Sequence, residues 1–455
     1  MLPLTFALLL TTQGADPPAS AAPRPVPLTR PEMKQLIEDM KERKPRIPLP
    51  ELTAEEKEKL GDRGMGYESR LRYHYMSTGE GRGGGGGGGF GLIEKDSESS
   101  LDYAFKVQLF WIVCRANNCQ YCQGHQEGKL LRAGQKEDEI AALDGDWKEF
   151  TPAQQAAFAF TRKITYQPYL LSDADIAALK KHYKDTQILE MILSVAGNNA
   201  INRWKEGTGV PQSAGGGGFG GKQPADGPAK HTYLTPTSDP FKTSISKVAP
   251  IYIDEKTGKP TSLTLCRRPA LESREEVEKA LEATRTRTPR LPLVDEAKAR
   301  EIVPADWPKG SLPQWVRLLA TFPGIGKSRV ASERSAETKG DLKPLLKAQV
   351  SWIIARQDRA WYATGQAKKR LLDLEQTEDQ IYKLDGDWKS FTEAERAMFT
   401  LAKKLAASPV VLTDDDVALA VKLAGPRDVV QLITYTTNRA SFDRITEASG
   451  LQLEK

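Results

Sequence analysis

The chain has 455 residues, 39% of them hydrophobic and 7% aromatic, with 37 Gly and 29 Pro; it is too long for one typical core and rich enough in chain-breaking residues that part of it must be linker. Its 65 basic and 60 acidic residues are interspersed, giving a net charge of +5 with no block of like charge and no aromatic-interleaved basic stripe. That pattern implies no nucleic-acid partner, and no apolar run reaches the roughly 18 residues of a membrane span.

In chain order, MLPLTFALLLTTQGADPPASAAPRP places an apolar core from Leu2 to Leu10 ahead of small residues that offer cleavage sites near Ala15 or Ala21. Residues 1–22 therefore resemble a secretory signal without its basic start. Export, periplasmic or secreted, is the expectation; in such a compartment a thiol pair is normally a disulfide unless a partner reduces it. Residues 23–45 form an N-terminal segment, and a first domain is expected over residues 46–210, starting at RIPLP. Within it GEGRGGGGGGGFG, residues 79–91, reads as a flexible insert, since glycine has backbone freedom and no side chain to bury.

The chemistry of this domain concentrates in NNCQYCQGHQEGKL, residues 117–130. Cys119 and Cys122 at i, i+3 share one face of a helix, where their sulfurs can approach bonding distance. Asn117 or Asn118 is a candidate N-cap that would put Cys119 in the first turn, where free amides and the helix dipole stabilise a thiolate. Such a cysteine is a nucleophile near neutral pH, and His125, three residues after Cys122, is a candidate base or proton shuttle. Three other readings stay open. A structural disulfide would close a loop too small to stabilise much. A zinc site needs about four ligands where two Cys and one His stand alone. Buried thiols beside a satisfied histidine are the third, although CQYCQGHQE is polar for a core segment. Cys114 reads as a packed residue or, less simply, a resolving thiol.

Downstream, Thr151-Pro152 and Ser172 are helix starts, and QILEMILSVAGNNAINRW spaces its apolar residues three and four apart, as an amphipathic helix requires. Residues 211–288 read as a linker containing the Gly-rich run 215–230 and a small β-hairpin over residues 249–266 that turns at Lys256-Thr257-Gly258. Cys266 lies in that hairpin with no assignable partner. A second domain is expected over residues 289–455, with helix starts at Thr392-x-x-Glu395 and Thr413. FPGIGKS, residues 322–328, lacks the glycine that a phosphate loop needs at position 321, which is Thr321, so it reads as a turn.

The two domains repeat one another. LDGDWKEFTPAQQAAFAF from Leu143 returns as LDGDWKSFTEAERAMFTL from Leu384, a displacement of 384 − 143 = 241. The same displacement sets Cys119 against Ala360, Cys122 against Ala363, His125 against Gln366 and Cys114 against Ala355, whereas Tyr121 and Gly124 persist as Tyr362 and Gly365. The reactive side chains vanish as a set and the framework stays. The class is all-α, in two tandem repeats.

The stretch DYAFKVQLFWIVCRANNCQYCQGHQEGKLLRAG, with the helices that follow it, resembles the carboxymuconolactone decarboxylase and alkylhydroperoxidase D-like superfamily, over about 165 residues of the first repeat and a similar span of the second. The resemblance implies helical domains that oligomerise by helix packing, and a CxxC pair that reduces hydroperoxides and is re-reduced by a dithiol protein. Cys119 and Cys122 would be that pair, with the more exposed one attacking the peroxide; His125, the candidate base read from its spacing, stands one residue before the family's histidine. Two family positions differ: the acid twelve residues before the first Cys is Val107 here, and the histidine four after the second is Gln126. Gln108 is the nearest polar group to the first, and Tyr121 and Glu127 are auxiliary candidates. The expectation is a thiol-dependent oxidoreductase of the peroxidase type, without cofactor or metal, built as an intramolecular pseudo-dimer that further homo-oligomerisation would extend. The alternatives are a non-catalytic helical scaffold or binding protein with a static disulfide, and a decarboxylase-like lyase.

Overall fold

A computed structural model describes residues 22–27, 29–64, 66–76, 98–145, 147–212, 252–253, 260–261 and 270–454. The expected signal segment, both Gly-rich runs and Cys266 lie outside the described residues, apart from Ala22. The fold is helical. The first half contains α1 (Arg30–Asp39), α2 (Ala54–Gly64), α3 (Tyr67–Tyr75), α4 (Tyr103–Asn117), α5 (Gln120–Arg132), α6 (Glu137–Ala142), α7 (Pro152–Tyr166), α8 (Asp173–Lys180) and α9 (Asp185–Thr208). The second contains α10 (Arg274–Thr286), α11 (Glu296–Ala299), α12 (Gln314–Leu319), α13 (Pro323–Thr338), α14 (Pro344–Asp358), α15 (Trp361–Asp373), α16 (Glu378–Tyr382), α17 (Glu393–Ala406), α18 (Asp414–Ala424) and α19 (Pro426–Ala448). Between them a minimal antiparallel pair, β1 (Tyr252–Ile253) and β2 (Pro260–Thr261), occupies the expected hairpin, whose turn residues are not described.

The helix starts follow from local chemistry. Thr151 and Thr392 close capping boxes with Gln154 and Glu395, and Ser172 and Thr413 cap α8 and α18, each satisfying amides that a first helical turn leaves free. FPGIGKS departs from its expected turn: Phe322 is an N-cap and Pro323 opens α13, because proline at the first helical position loses no hydrogen bond. Only helices precede it among the described residues of this half.

Helix boundaries keep the 241-residue displacement. α4 spans 103–117 and α14 spans 344–358; α5 spans 120–132 and α15 spans 361–373. Both α4 and α14 are buried on every side along their last twelve residues, Lys106–Asn117 and Lys347–Asp358, and form the hub of each half. α10 lies within residues 211–288, the expected linker, and packs on α15 as α1 packs on α5. The N-caps Thr29 and Ser273, each boxed by a glutamate three residues on, differ by 273 − 29 = 244, as do Arg46 and Arg290.

The halves meet along α9 and α19 and share one continuous core. Their contact is reciprocal. Arg46 donates its main-chain N–H to Thr208 O and ion-pairs across the interface with Asp414 at 2.6 Å; Arg290 donates to Ser449 O and pairs back with Asp173 at 2.8 Å. Gly209 (φ 67°) and Gly450 (φ 60°) reverse the chain after α9 and α19, and a Cβ on either would lie 2.7–2.9 Å from the arginine packed over it. Among the described residues no helix is long and apolar enough to cross a membrane.

Candidate functional site

The thiols lie at the α4–α5 junction. α4 ends at Asn117, and Asn118 takes the left-handed conformation (φ 57°), which asparagine tolerates better than most residues, so the chain reverses there. Neither asparagine caps α5. Cys119 is itself the N-cap, which moves Cys122 rather than Cys119 into the first turn. Asn117 is instead turned into the core, donating to Asn199 Oδ1 at 2.9 Å and Asn202 Oδ1 at 3.1 Å.

Cys114, Cys119 and Cys122 are all reduced and buried, at 0%, 0% and 3% exposure. The Cys119 amide donates to Cys114 O at 2.9 Å, which draws the end of α4 and the start of α5 together. The Cys122 thiol lies in hydrogen-bond contact with both Cys119 and Cys114, and Asn202 Nδ2 donates to Cys114 Sγ at 3.4 Å. Three thiols therefore converge where a pair was expected. The sign of this was present in the sequence, since all three positions become alanine in the second half.

Burial reverses the expected acidity. Desolvation, reinforced for Cys119 by its neighbour Cys122, pushes that thiol well above its ordinary 9.0, and Cys122 and Cys114 are pushed up as well. The Cys122 amide and the Arg24 guanidinium act on Cys119 in the opposite sense but do not overcome the loss of water. Lys205 favours the thiolate of Cys122 in the same way. Iodoacetamide trapping read by mass spectrometry is accordingly expected to label Cys122 first, at a rate still rising beyond about pH 9. A rate that plateaus below pH 8 would contradict this site.

His125 sits one turn beyond Cys122, its ring 4.7 Å from that of Tyr121. Burial, with Lys205, Lys129 and Arg132 nearby, lowers its pKa to about 4, so the imidazole is neutral at pH 7, and its buried Nε2 has no hydrogen-bond partner. Lys205 Nζ stands 4.8 Å from the centre of the Tyr121 ring. Tyr121 and His125 thus flank the first turn of α5.

The other two auxiliary candidates belong elsewhere. Gln108 is on α4 two turns before Cys114, and its side-chain oxygen accepts from Gln154 at 3.5 Å, a contact between α4 and α7. Glu127 is buried in an ion cluster with Arg30 (2.6 Å) and Lys34, and accepts from Trp111 Nε1 at 3.1 Å. Burial alone would raise its pKa; the two cations hold it down at about 2, so it is no proton donor at neutral pH.

The N-terminal segment covers the junction. Asn118 donates to the carbonyls of Arg24 and Pro25, Arg115 donates to Pro27 O at 2.7 Å, and Arg24 and Arg43 both ion-pair with Glu206. Gly124 allows α1 to close over α5, since a Cβ there would lie 2.9 Å from Ile37 Cγ2. Its counterpart Gly365 admits Leu453 in the same way, and Tyr362 is buried and bonded to Glu454. Gly124 and Gly365 thus each admit a packed aliphatic side chain at equivalent positions.

Among the described residues no group of three or more His, Cys, Asp or Glu is placed to hold a metal ion. Compared with protein-family models and with curated proteins, the chain matches none.

Proposed function

We propose that the chain is a thiol-dependent oxidoreductase in which Cys119 and Cys122 cycle between dithiol and disulfide while reducing a hydroperoxide. The observation that carries this reading is the convergence of reduced thiols at one helix junction beside a neutral histidine, in a half whose repeat has lost all of them. Cys122, 3% exposed against 0% for Cys119, is the more exposed of the pair, and Lys205 favours its thiolate, so it is the attacking sulfur. The Cys122 thiolate attacks the terminal peroxide oxygen, the O–O bond breaks, and the alkoxide takes up the proton that the thiol gave up and leaves as the alcohol, giving a sulfenic acid. Cys119 then displaces water from that sulfur and forms the disulfide. The sum is ROOH + 2 RSH → ROH + H2O + RSSR, and an external dithiol protein returns the pair to its reduced form.

The resemblance to alkylhydroperoxidase D-like domains supports the same reading, and so do helix boundaries that recur at one displacement. On this reading the chain is a duplicated domain, an intramolecular pseudo-dimer in which the second half is the thiol-free partner. Residues 1–22 act as an export signal, and the reductant belongs to the periplasm or the exterior. Because the sulfurs are buried under residues 24–27 and α1, turnover needs that segment to lift.

Stopped-flow consumption of hydrogen peroxide or a small organic hydroperoxide by the pre-reduced protein tests the reading. Cys122→Ser is expected to abolish the reaction. Cys119→Ser is expected to permit one turnover that stops at the sulfenic acid. Equal rates in both variants and the parent protein would sink the proposal.

A further inference from the structure

The second half contains a cavity of about 280 Å³ at the place that corresponds to the thiol site of the first. Ala363 and Gln366, which line it, stand where Cys122 and His125 stand, and Asp443 stands where Asn202 does, since 443 − 202 = 241. Its walls are aromatic: the Trp307 and Trp315 rings are 6.0 Å apart at 60°, and Trp315 meets Phe442 edge-on at 5.8 Å. Its volume falls at the small end of ligand pockets, enough for a single ring.

Three buried polar atoms around this cavity lack a hydrogen-bond partner: Asp443 Oδ2, Glu333 Oε1 and Arg334 Nη1. Asp443 and Glu333 are 1% and 3% exposed. Each such atom has lost its water without gaining a partner, a cost that a bound group would remove. The carboxylates, in contrast, already have cations beside them. Glu333 pairs with Arg439, and its Oε1 lies 3.8 Å from Arg329 Nε, beyond hydrogen-bond reach; Glu337 pairs with Arg370 and with Arg439 at 3.2 Å, and Arg334 with Asp306 at 2.9 Å. Burial and the nearby Asp358 carboxylate favour the neutral form of Asp443, which both donates and accepts. What is missing is therefore a neutral group that gives protons to carboxyl oxygens and takes one from a guanidinium. Hydroxyl groups do both, and aromatic walls suit the C–H face of a saturated ring.

We infer that this cavity is a binding site for a neutral, polyhydroxylated single-ring compound, a monosaccharide or cyclitol, held between Trp307, Trp315 and Phe442 with its hydroxyls on Asp443, Glu333 and Arg334. The site is independent of the thiol chemistry. The half without the cysteines lines this space with groups suited to recognition.

Calorimetric and tryptophan-fluorescence titration of the full chain with D-glucose, D-galactose, D-ribose and myo-inositol tests the inference, with benzoate and benzylamine as ionic rings of similar size. At least one of the four neutral compounds is expected to bind saturably with a Kd of about a millimolar or tighter. Ala363→Leu, which fills the cavity without removing a hydrogen bond, and Asp443→Leu are each expected to weaken that binding by about tenfold or more. Trp307→Ala, at the half-exposed rim, replaces any variant that lacks a cooperative melt. Saturation by none of the four, binding of only the ionic rings, or affinity unchanged in the folded variants would overturn the assignment.

Discussion

Replacing Arg444 by methionine is expected to lower the stability of the folded chain by about 3–5 kcal/mol. Arg444 and Asp358 form an ion pair at 2.8 Å in which both side chains are 0% exposed, where α19 meets the end of α14. The guanidinium also donates to Thr165 O at 3.0 Å and to Ser408 Oγ at 3.4 Å, so one side chain ties α19 to both halves. Methionine fills similar space but carries no charge or donor. It would leave the Asp358 carboxylate facing Asp443, whose own pKa is already raised by burial and by that neighbour. Most of the cost is the buried charge left unpaired rather than the worth of the pair, so Arg444→Met combined with Asp358→Leu is expected to recover much of the loss. Denaturant midpoints at unchanged slope measure this, and a single-variant loss below about 1 kcal/mol would refute the assignment.

Acid is expected to weaken the fold through Glu127. Its carboxylate titrates near 2 in the folded chain against 4.5 when free, because Arg30 and Lys34 outweigh the penalty of burial. A depressed folded pKa contributes stability that is complete above the free value and is lost as pH falls from 4.5 towards 2, here on the order of 3 kcal/mol. His125 acts earlier and in the same direction. Its folded pKa of about 4 against 6.5 means that the unfolded chain binds the extra proton first, so stability is lost as pH falls from 6.5 to 4. Glu127→Gln should cost stability at neutral pH, because Glu137 is left to balance two buried cations, and should flatten the dependence below about pH 4.5. Thermal melts of both proteins from pH 7 to pH 3 measure it. Parallel curves would show that Glu127 is not held by this cluster.

Much of the framework was legible in the chain. Thr151, Ser172, Thr392 and Thr413 announce helix starts because a cap is a bond between residues three apart, and such bonds depend on local order alone. The 241-residue displacement located the helices of one half from those of the other. It missed α10, because the register shifts to 244 upstream and the matching residues, Thr29 and Ser273, share little identity around them. FPGIGKS was misread for a related reason: Pro323 marks a helix start as readily as a turn, and the difference rests on what packs behind it.

The site was read less completely than the frame. Cys122 and His125 stand one turn apart on α5, and Cys119, the N-cap of that helix, contacts Cys122. Cys114 joins them only because Asn118 reverses the chain between α4 and α5, whereas Gln108, nearly two turns earlier on α4, meets Gln154 of α7. Glu127 was judged by its distance in sequence from the thiols, whereas its partners Arg30 and Lys34 come from a helix about a hundred residues earlier.

The amino-acid sequence by itself determined the helical class, the caps, the stretch LDGDW that returns 241 residues later and the set of side chains that one half has and the other lacks. Those features arise from bonds and periodicities within a few residues, or from direct comparison of one stretch with another. Only the tertiary structure decided that the thiols are covered, that their acidity falls rather than rises, and that the second half encloses a polar cavity behind aromatic walls. Desolvation and charge are set by whatever the fold brings alongside, and here that is an N-terminal segment and helices far away in the chain.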